Sequence, residues 1–125
     1  MISLTSEDIS QLRDRLADYP EAAEALQEIE DCDGDLEDAA ISLALRSGQE
    51  PDSNEQWLAS FSKRYRHIAC QELFREAIAA GQLSTLITHL SQETDCPKLI
   101  APMVAIYVFK CGVQDFCHSF NNSRV

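Results

Sequence analysis

The densest run of side chains that could do chemistry lies between residues 28 and 38, where seven of eleven positions are acidic. An EF-hand loop needs oxygen ligands at positions 1, 3 and 5, glycine at 6 and glutamate at 12. With Asp31 at position 1, Leu36 falls at position 6. With Gly34 at position 6, Ala40 falls at position 12. We therefore expect no EF-hand, metal or other cofactor, and leave weak, exchangeable divalent-cation binding as an alternative.

Cysteine and histidine form two candidate pairs. His67 and Cys70 would share a helix face, and so would Cys111 and His118 if that helix continued. A catalytic thiolate needs a positioned base and a third, orienting residue, which neither pair has. A structural zinc site shows close pairs such as Cys-x-x-Cys, and none occurs. The five cysteines, odd in number and irregularly spaced, do not resemble a secreted disulfide framework. We predict no enzyme, with a small cysteine enzyme as the third alternative.

The basic residues Lys63, Arg64, Arg66 and Arg75, called the basic cluster below, could contact phosphates, with Tyr65 as a stacking surface. Consecutive helical residues point in different directions, so these side chains do not predict a single patch. The net charge of −11 also argues against non-specific nucleic-acid binding. A phosphate- or nucleic-acid-binding regulator is therefore the alternative function, not the leading one.

Charge is distributed unevenly along the chain. Residues 1–60 hold sixteen acidic and three basic residues, and residues 61–125 hold five acidic and seven basic ones. The two parts should attract each other, or one of them faces a charged partner. The N-terminal residues show no signal peptide, and the apolar segment at 99–109 is shorter than a bilayer span. We expect a cytoplasmic protein with no membrane association.

Three helices are predicted before residue 49. Thr5 can cap the first helix with Asp8 at its third position, and Pro20 suits the first turn of the second. Gly34 favours a left-handed end to the second helix, and Asp35 is a good N-cap for the third. The third helix closes at residues 46–48.

A polar linker at 49–54 separates the predicted lobes, which are residues 1–48 and residues 55–125. The second lobe should contain helices at 55–80, broken near Arg66, at 83–92 and at 102–111, with a short continuation toward Phe120. Its segment MVAIYVF (residues 103–109) has β-branched residues, yet no partner strand is evident, so we predict a buried helix. The predicted fold class is all-α, a three-helix lobe followed by a helical bundle. A homodimer that buries MVAIYVF is a further alternative.

Residues 4–48 resemble ubiquitin-associated (UBA-like) three-helix domains and the N-terminal domain of bacterial elongation factor Ts. The resemblance rests on Ile29, the Gly34-Asp35 hinge, Leu36 and the following Ala-Ala and Leu positions, with residues 12–15 matching the elongation-factor domain. It implies a three-helix fold that binds other proteins. Residues 19–20 (Tyr-Pro) stand where ubiquitin-binding members have a Met-Gly-Phe-type loop. The whole chain also resembles uncharacterised cyanobacterial proteins, which implies a bacterial source.

The third helix carries a second apolar stripe, Ile41, Ala44 and Leu45. This stripe either packs on the C-terminal helices or docks a partner helix or strand. The leading function is a non-enzymatic protein-protein interaction module or regulator with an unidentified, basic protein partner. The predicted protein-binding residues are Asp33, Asp35, Glu37, Asp38, Ile41 and Leu45.

Overall fold

The computed structural model describes residues 2–51 and 56–123, with side chains as far as residue 118. Residues 52–54 of the predicted linker, the predicted helix start at 55 and the lobe ends at 1 and 124–125 lie outside this part. The helices are α1 Ser6–Arg15, α2 Pro20–Asp31, α3 Leu36–Arg46, α4 Trp57–Ser62, a 3₁₀ turn at Lys63–Tyr65, α5 Arg66–Ala69, α6 Glu72–Ala79, α7 Ser84–Glu93, α8 Ala101–Cys111 and α9 Val113–Ser123. The all-α class is confirmed: within the described residues, β-type pairing is limited to one bridge, Ser3 with Asp35.

The start of α1 agrees with its predicted cap. The Thr5 hydroxyl accepts from the Asp8 N–H at 3.1 Å, and the Asp8 carboxylate accepts from the Thr5 N–H at 3.0 Å. The two bonds satisfy backbone donors that a helix start leaves unpaired. Leu4 and Ile9, which lie on either side of this cap in the sequence, are both buried.

The hinge between α2 and α3 requires glycine for two reasons. Gly34 has a φ of +88°, and a Cβ at this position would overlap the Leu4 carbonyl oxygen. The Leu4 N–H donates to the Gly34 carbonyl at 2.9 Å, so the N-terminal segment lies against the hinge. Asp33 also has a positive φ, +57°, which the sequence pattern did not indicate. Asp35 is the N-cap of α3, as predicted.

The predicted helix at 55–80 breaks more often than expected. The 3₁₀ turn Lys63–Tyr65 interrupts it near Arg66, as predicted, and a second break at residues 70–71 separates α5 from α6. The segment MVAIYVF is helical, as predicted, and lies within α8. Met103 and Val108 are fully buried, so the chain's own helices cover this segment. Gly112 ends α8, and the predicted continuation is a separate helix, α9.

One contiguous cluster of buried apolar side chains contains residues from both predicted lobes. Helix α8 lies at its centre and packs against α2, α3, α4, α6, α7 and α9. Because α8 contacts so many elements, nearly all of its side chains are apolar. No helix in residues 2–51 or 56–123 is long and apolar enough to cross a membrane.

Candidate functional site

Helix α3 exposes a narrow stripe, Asp38, Ile41 and Leu45, called the α3 face below. Leu45 is 63% exposed and Ile41 is half-buried, whereas Ala44 is completely buried. Helix α3 packs on α2, α4 and α8, so its inner side is covered by the chain. The predicted apolar stripe is therefore divided: Ala44 belongs to the core, and Leu45 remains open to a partner.

Two of the predicted acidic site residues bond to the chain's own backbone. The Asp35 carboxylate accepts from the N–H groups of Glu37 and Asp38 and so caps α3. The Glu37 carboxylate accepts from the N–H groups of Leu58 at 2.6 Å and Ala59 at 3.0 Å, at the start of α4. These two carboxylates hold the fold, which leaves Asp33 and Asp38 as exposed charges at the site.

The environment of Glu37 shows why a half-buried carboxylate is tolerated there. Burial raises the pKa of this carboxyl, and the two N–H donors of α4 partly oppose that rise. The first turn of α4 has no side-chain cap of its own, so Glu37 supplies one from a different helix. This contact fixes α3 against α4, and thus fixes the direction in which the α3 face points.

The arginines near the acidic hinge already have partners. Arg13 pairs with Glu30 at 3.1 Å, and Arg46 pairs with Glu24 and Glu28. Asp33 and Asp38 form no ion pair within the described ranges. The acidic charge left over beside Leu45 is therefore available to an incoming cation.

The basic cluster lies in the second half of the chain, and two of its three arginines lie over aromatic rings. The Arg64 guanidinium lies 4.9 Å from the Phe61 ring centroid, and that of Arg66 lies 5.0 Å from the Phe116 centroid. Lys63 is exposed and Arg75 is half-buried. Among the described residues, none of the four forms an ion pair. Arg64 and Arg66 thus lie over rings of two different helices, α4 and α9.

Tyr65 does not serve as a stacking surface, and that prediction was wrong. Its ring is 4% exposed, and its hydroxyl donates to the Asp95 carboxylate at 3.0 Å. Burial raises the pKa of Tyr65, so the phenol stays protonated. The residue is part of the core, where the 3₁₀ turn places it.

The cysteines depart most from the sequence analysis. Cys70 and Cys117 form a disulfide with a Cα–Cα distance of 5.6 Å, so Cys70 of the candidate His67–Cys70 pair is not a free thiol. Cys111 and His118 lie on different helices, so that predicted pair does not share a helix face. Cysteine spacing alone carries no information about this pairing.

Two of the three free thiols in the described part of the chain, Cys32 and Cys96, do not favour thiolate chemistry. Burial raises the pKa of Cys32 to about 11 and that of Cys96 to about 12. Within residues 2–51 and 56–123, no group of three or more His, Cys, Asp or Glu side chains is placed to hold a metal ion.

Open cavities follow the seam between α1 and the C-terminal helices. One of about 360 Å³ lies between Arg15 and the α6–α7 turn, and one of about 250 Å³ lies between α1 and Phe109–Lys110. Arg15 donates to the Gly81 carbonyl at 3.1 Å, and Lys110 pairs with Asp8 at 3.1 Å. These polar contacts bridge the seam and leave no converging set of reactive groups in it.

No family model matches the chain, and no curated protein or solved structure is similar enough to it to count as a match. The resemblance of residues 4–48 to UBA-like domains therefore stays a prediction.

Proposed function

We propose that this chain is a non-enzymatic, cytoplasmic protein-interaction module that docks its partner on the α3 face. The observation that carries the proposal is the 63% exposure of Leu45, aligned with half-buried Ile41 and exposed Asp38 on one side of α3. A large exposed apolar side chain loses little by leaving water and gains by entering a partner's pocket. The neighbouring core residues hold this helix in place, so little ordering is needed on binding.

Charge supports a basic partner. Residues 1–60 carry a net charge of −13, from sixteen acidic and three basic residues, and those three are arginines that already bond within the fold. Exposed Asp38 belongs to the α3 face, and exposed Asp33 lies in the hinge before α3. A lysine- or arginine-bearing helix or strand with an apolar anchor matches this surface, and its charge would accelerate association.

We also propose that α1–α3 are a UBA-like lobe. Three short helices, a glycine hinge between the second and third, and an N-cap directly after that hinge support this assignment. Because UBA-like lobes are interaction domains, the assignment and the proposed docking role support each other. The assignment of a UBA-like lobe rests on analogy of fold.

The test uses two exposed leucines. Leu73 on α6 is 66% exposed, close to Leu45 in exposure and identical in chemistry, and therefore provides a matched control. Leu45→Asp, Leu73→Asp and the wild type are immobilised after thermal melting has shown that each variant folds. We expect a specific lysate partner to bind the wild type and Leu73→Asp, and at least about tenfold less of it to bind Leu45→Asp. Equal capture by both variants would contradict docking on the α3 face.

The basic cluster supports the second candidate function, a phosphate- or nucleic-acid-binding regulator. Its four side chains form no ion pair among the described residues, although the chain has 21 acidic residues. They are Lys63, Arg64, Arg66 and Arg75. If they bind phosphates, affinity for a short single-stranded RNA should fall steeply between about 50 and 200 mM salt. A Lys63→Ala/Arg64→Ala variant should then show a shallower salt dependence. Salt-independent or undetectable binding would remove this candidate.

A further inference from the structure

The Cys70–Cys117 disulfide joins two elements that the proposed function does not use. Cys70 is the C-cap of α5, and Cys117 lies in α9, 47 residues further along the chain. Helix α9 packs against α5, α6 and α8. The bond therefore attaches the last helix of the described part to the middle of the C-terminal lobe.

The described part of α9 is held by packing and by the disulfide. At its start, Gly112 has a φ of +97° and separates it from α8. Its described side chains contribute three buried residues, Val113, Phe116 and Cys117. A cavity of about 280 Å³ lies beside its first turn, lined by residues that include Ile78 and Phe109. The first turn of α9 thus borders an open cavity, and the disulfide adds a covalent link to the packing of this helix on α5, α6 and α8.

One polar atom of Arg66 is buried beneath α9. The Arg66 guanidinium lies over the Phe116 ring, and the Arg66 Nε is buried without a hydrogen-bond partner in the described part of the chain. A buried donor without a partner raises the free energy of the closed arrangement. Movement of Phe116 away from this ring contact would return Nε to water. The disulfide opposes that movement.

The two cysteine residues of the disulfide differ in exposure. Cys70 is half-buried, whereas Cys117 is 1% exposed. An attacking thiolate approaches the sulfur that solvent can reach, so exchange should begin at the Cys70 sulfur with Cys117 as the leaving group.

We propose that Cys70–Cys117 is a redox modification site, opened by a dithiol reductant, and that its opening releases α9 from α5 and α6. One thiolate of the reductant attacks the Cys70 sulfur, and Cys117 departs as a thiolate that takes up a proton. The second thiol of the reductant then displaces Cys70 from the mixed disulfide. The products are two protein thiols and the oxidised, disulfide form of the reductant, so two electrons and two protons pass to the protein.

Hydrogen exchange on the full chain tests the proposal, with dithiothreitol as the probe reductant. After reduction we expect amides of residues 113–118 to exchange at least about tenfold faster, while those of α2 and α3 keep their oxidised-state rates. Reoxidation should restore the slow rates. Unchanged amide exchange in α9 would show that the disulfide does not control the release of this helix, and would overturn the proposal. Equally accelerated exchange in α2 and α3 would show that the disulfide stabilises the whole fold, and would overturn the proposal as well.

Two double variants separate this bond from the other thiols. Cys70→Ser/Cys117→Ser should exchange like the reduced wild type whether or not the reductant is present. Cys32→Ser/Cys111→Ser replaces free, partly buried thiols and should keep the full response to the reductant. Should the first variant fail to fold, the reversible response of the wild type still decides the matter. A response lost in the second variant would assign the effect to another thiol and overturn the proposal.

Discussion

Helices α1–α3 and helices α4–α9 are held in place by different kinds of contact. The starts of α1 and α3 are capped by side chains a few residues away. Thr5 and Asp8 cap each other at α1, and the Asp35 carboxylate accepts from the N–H groups of Glu37 and Asp38 at α3. The start of α4 is capped by Glu37 from another helix, and α5 is tied to α9 by a disulfide spanning 47 residues. The starts of α1 and α3 are thus specified by nearby residues, whereas the start of α4 and the attachment of α9 depend on residues that are distant in the sequence.

The two parts also differ in how they use charge. Near the hinge, arginines pair with nearby glutamates, while excess acid remains beside Leu45. In the second part, Arg64 and Arg66 lie on aromatic rings and form no ion pair among the described residues. Paired charges contribute to structure, whereas unpaired ones are available for recognition. This contrast is why we place docking on α3 and keep the basic cluster as the second candidate.

The largest effect should come from the glycine hinge, where local structure is most demanding. Gly34→Ala introduces a Cβ at a φ of +88° directly against the Leu4 carbonyl. We expect a loss of unfolding free energy of at least about 2 kcal/mol, measured by urea denaturation. Gly48→Ala is the matched control, because φ there is +81° but no atom lies within 4 Å of the added Cβ. Gly48→Ala should lower the unfolding free energy by about 1 kcal/mol. Equal losses in the two variants would contradict the clash with Leu4.

The next effect should come from the contact between the two parts. Glu37→Ala leaves the N–H groups of Leu58 and Ala59 without their acceptor, which should lower the unfolding free energy by about 1–3 kcal/mol. Asp38→Ala, at an exposed position on the same helix, should change it by less than about 0.5 kcal/mol. If the two variants were equally stable, Glu37 would not cap α4.

The pH dependence at Glu37 has a definite sign. Burial raises the pKa of this carboxyl above 4.5, so the folded protein binds more protons than the unfolded chain between 4.5 and the raised value. The contribution of Glu37 to stability therefore falls as pH rises through that interval. Glu37→Gln should remove this slope from the stability profile, and an unchanged profile would contradict the assignment.

The smallest effect should come from the cap of α1. The Thr5 N–H and the Lys110 ammonium bond to the Asp8 carboxylate and lower its pKa below 3.8. Its contribution is therefore present above about pH 4 and is lost as pH falls through the lowered pKa. Asp8→Asn should cost about 0.5–1 kcal/mol at neutral pH and reduce the acid sensitivity. Asp14→Asn, exposed on the same helix, provides the control and should leave both quantities unchanged.

How far the sequence could be interpreted depended on the distance between interacting residues. The caps at Thr5 and Asp35 and the Gly34 hinge were predicted because each involves groups within a few positions of one another. The break of α5 from α6 at residues 70–71 was missed, since no proline or glycine marks it. For the candidate site, Leu45 was named correctly as an apolar residue of α3, but its exposure could not be separated from the burial of Ala44.

The sequence by itself therefore determined an all-α chain, the capped starts of α1 and α3, and the helical state of MVAIYVF. Short-range hydrogen bonds specify the caps, and the lack of a partner strand in the sequence favours a helix for MVAIYVF. Only the tertiary structure decided that Glu37 caps α4, that Tyr65 is buried, that Cys70 bonds to Cys117 and that Leu45 stays exposed. Each of these depends on which helices meet. That in turn depends on how α8 and its neighbours fill one shared core, which no local pattern encodes.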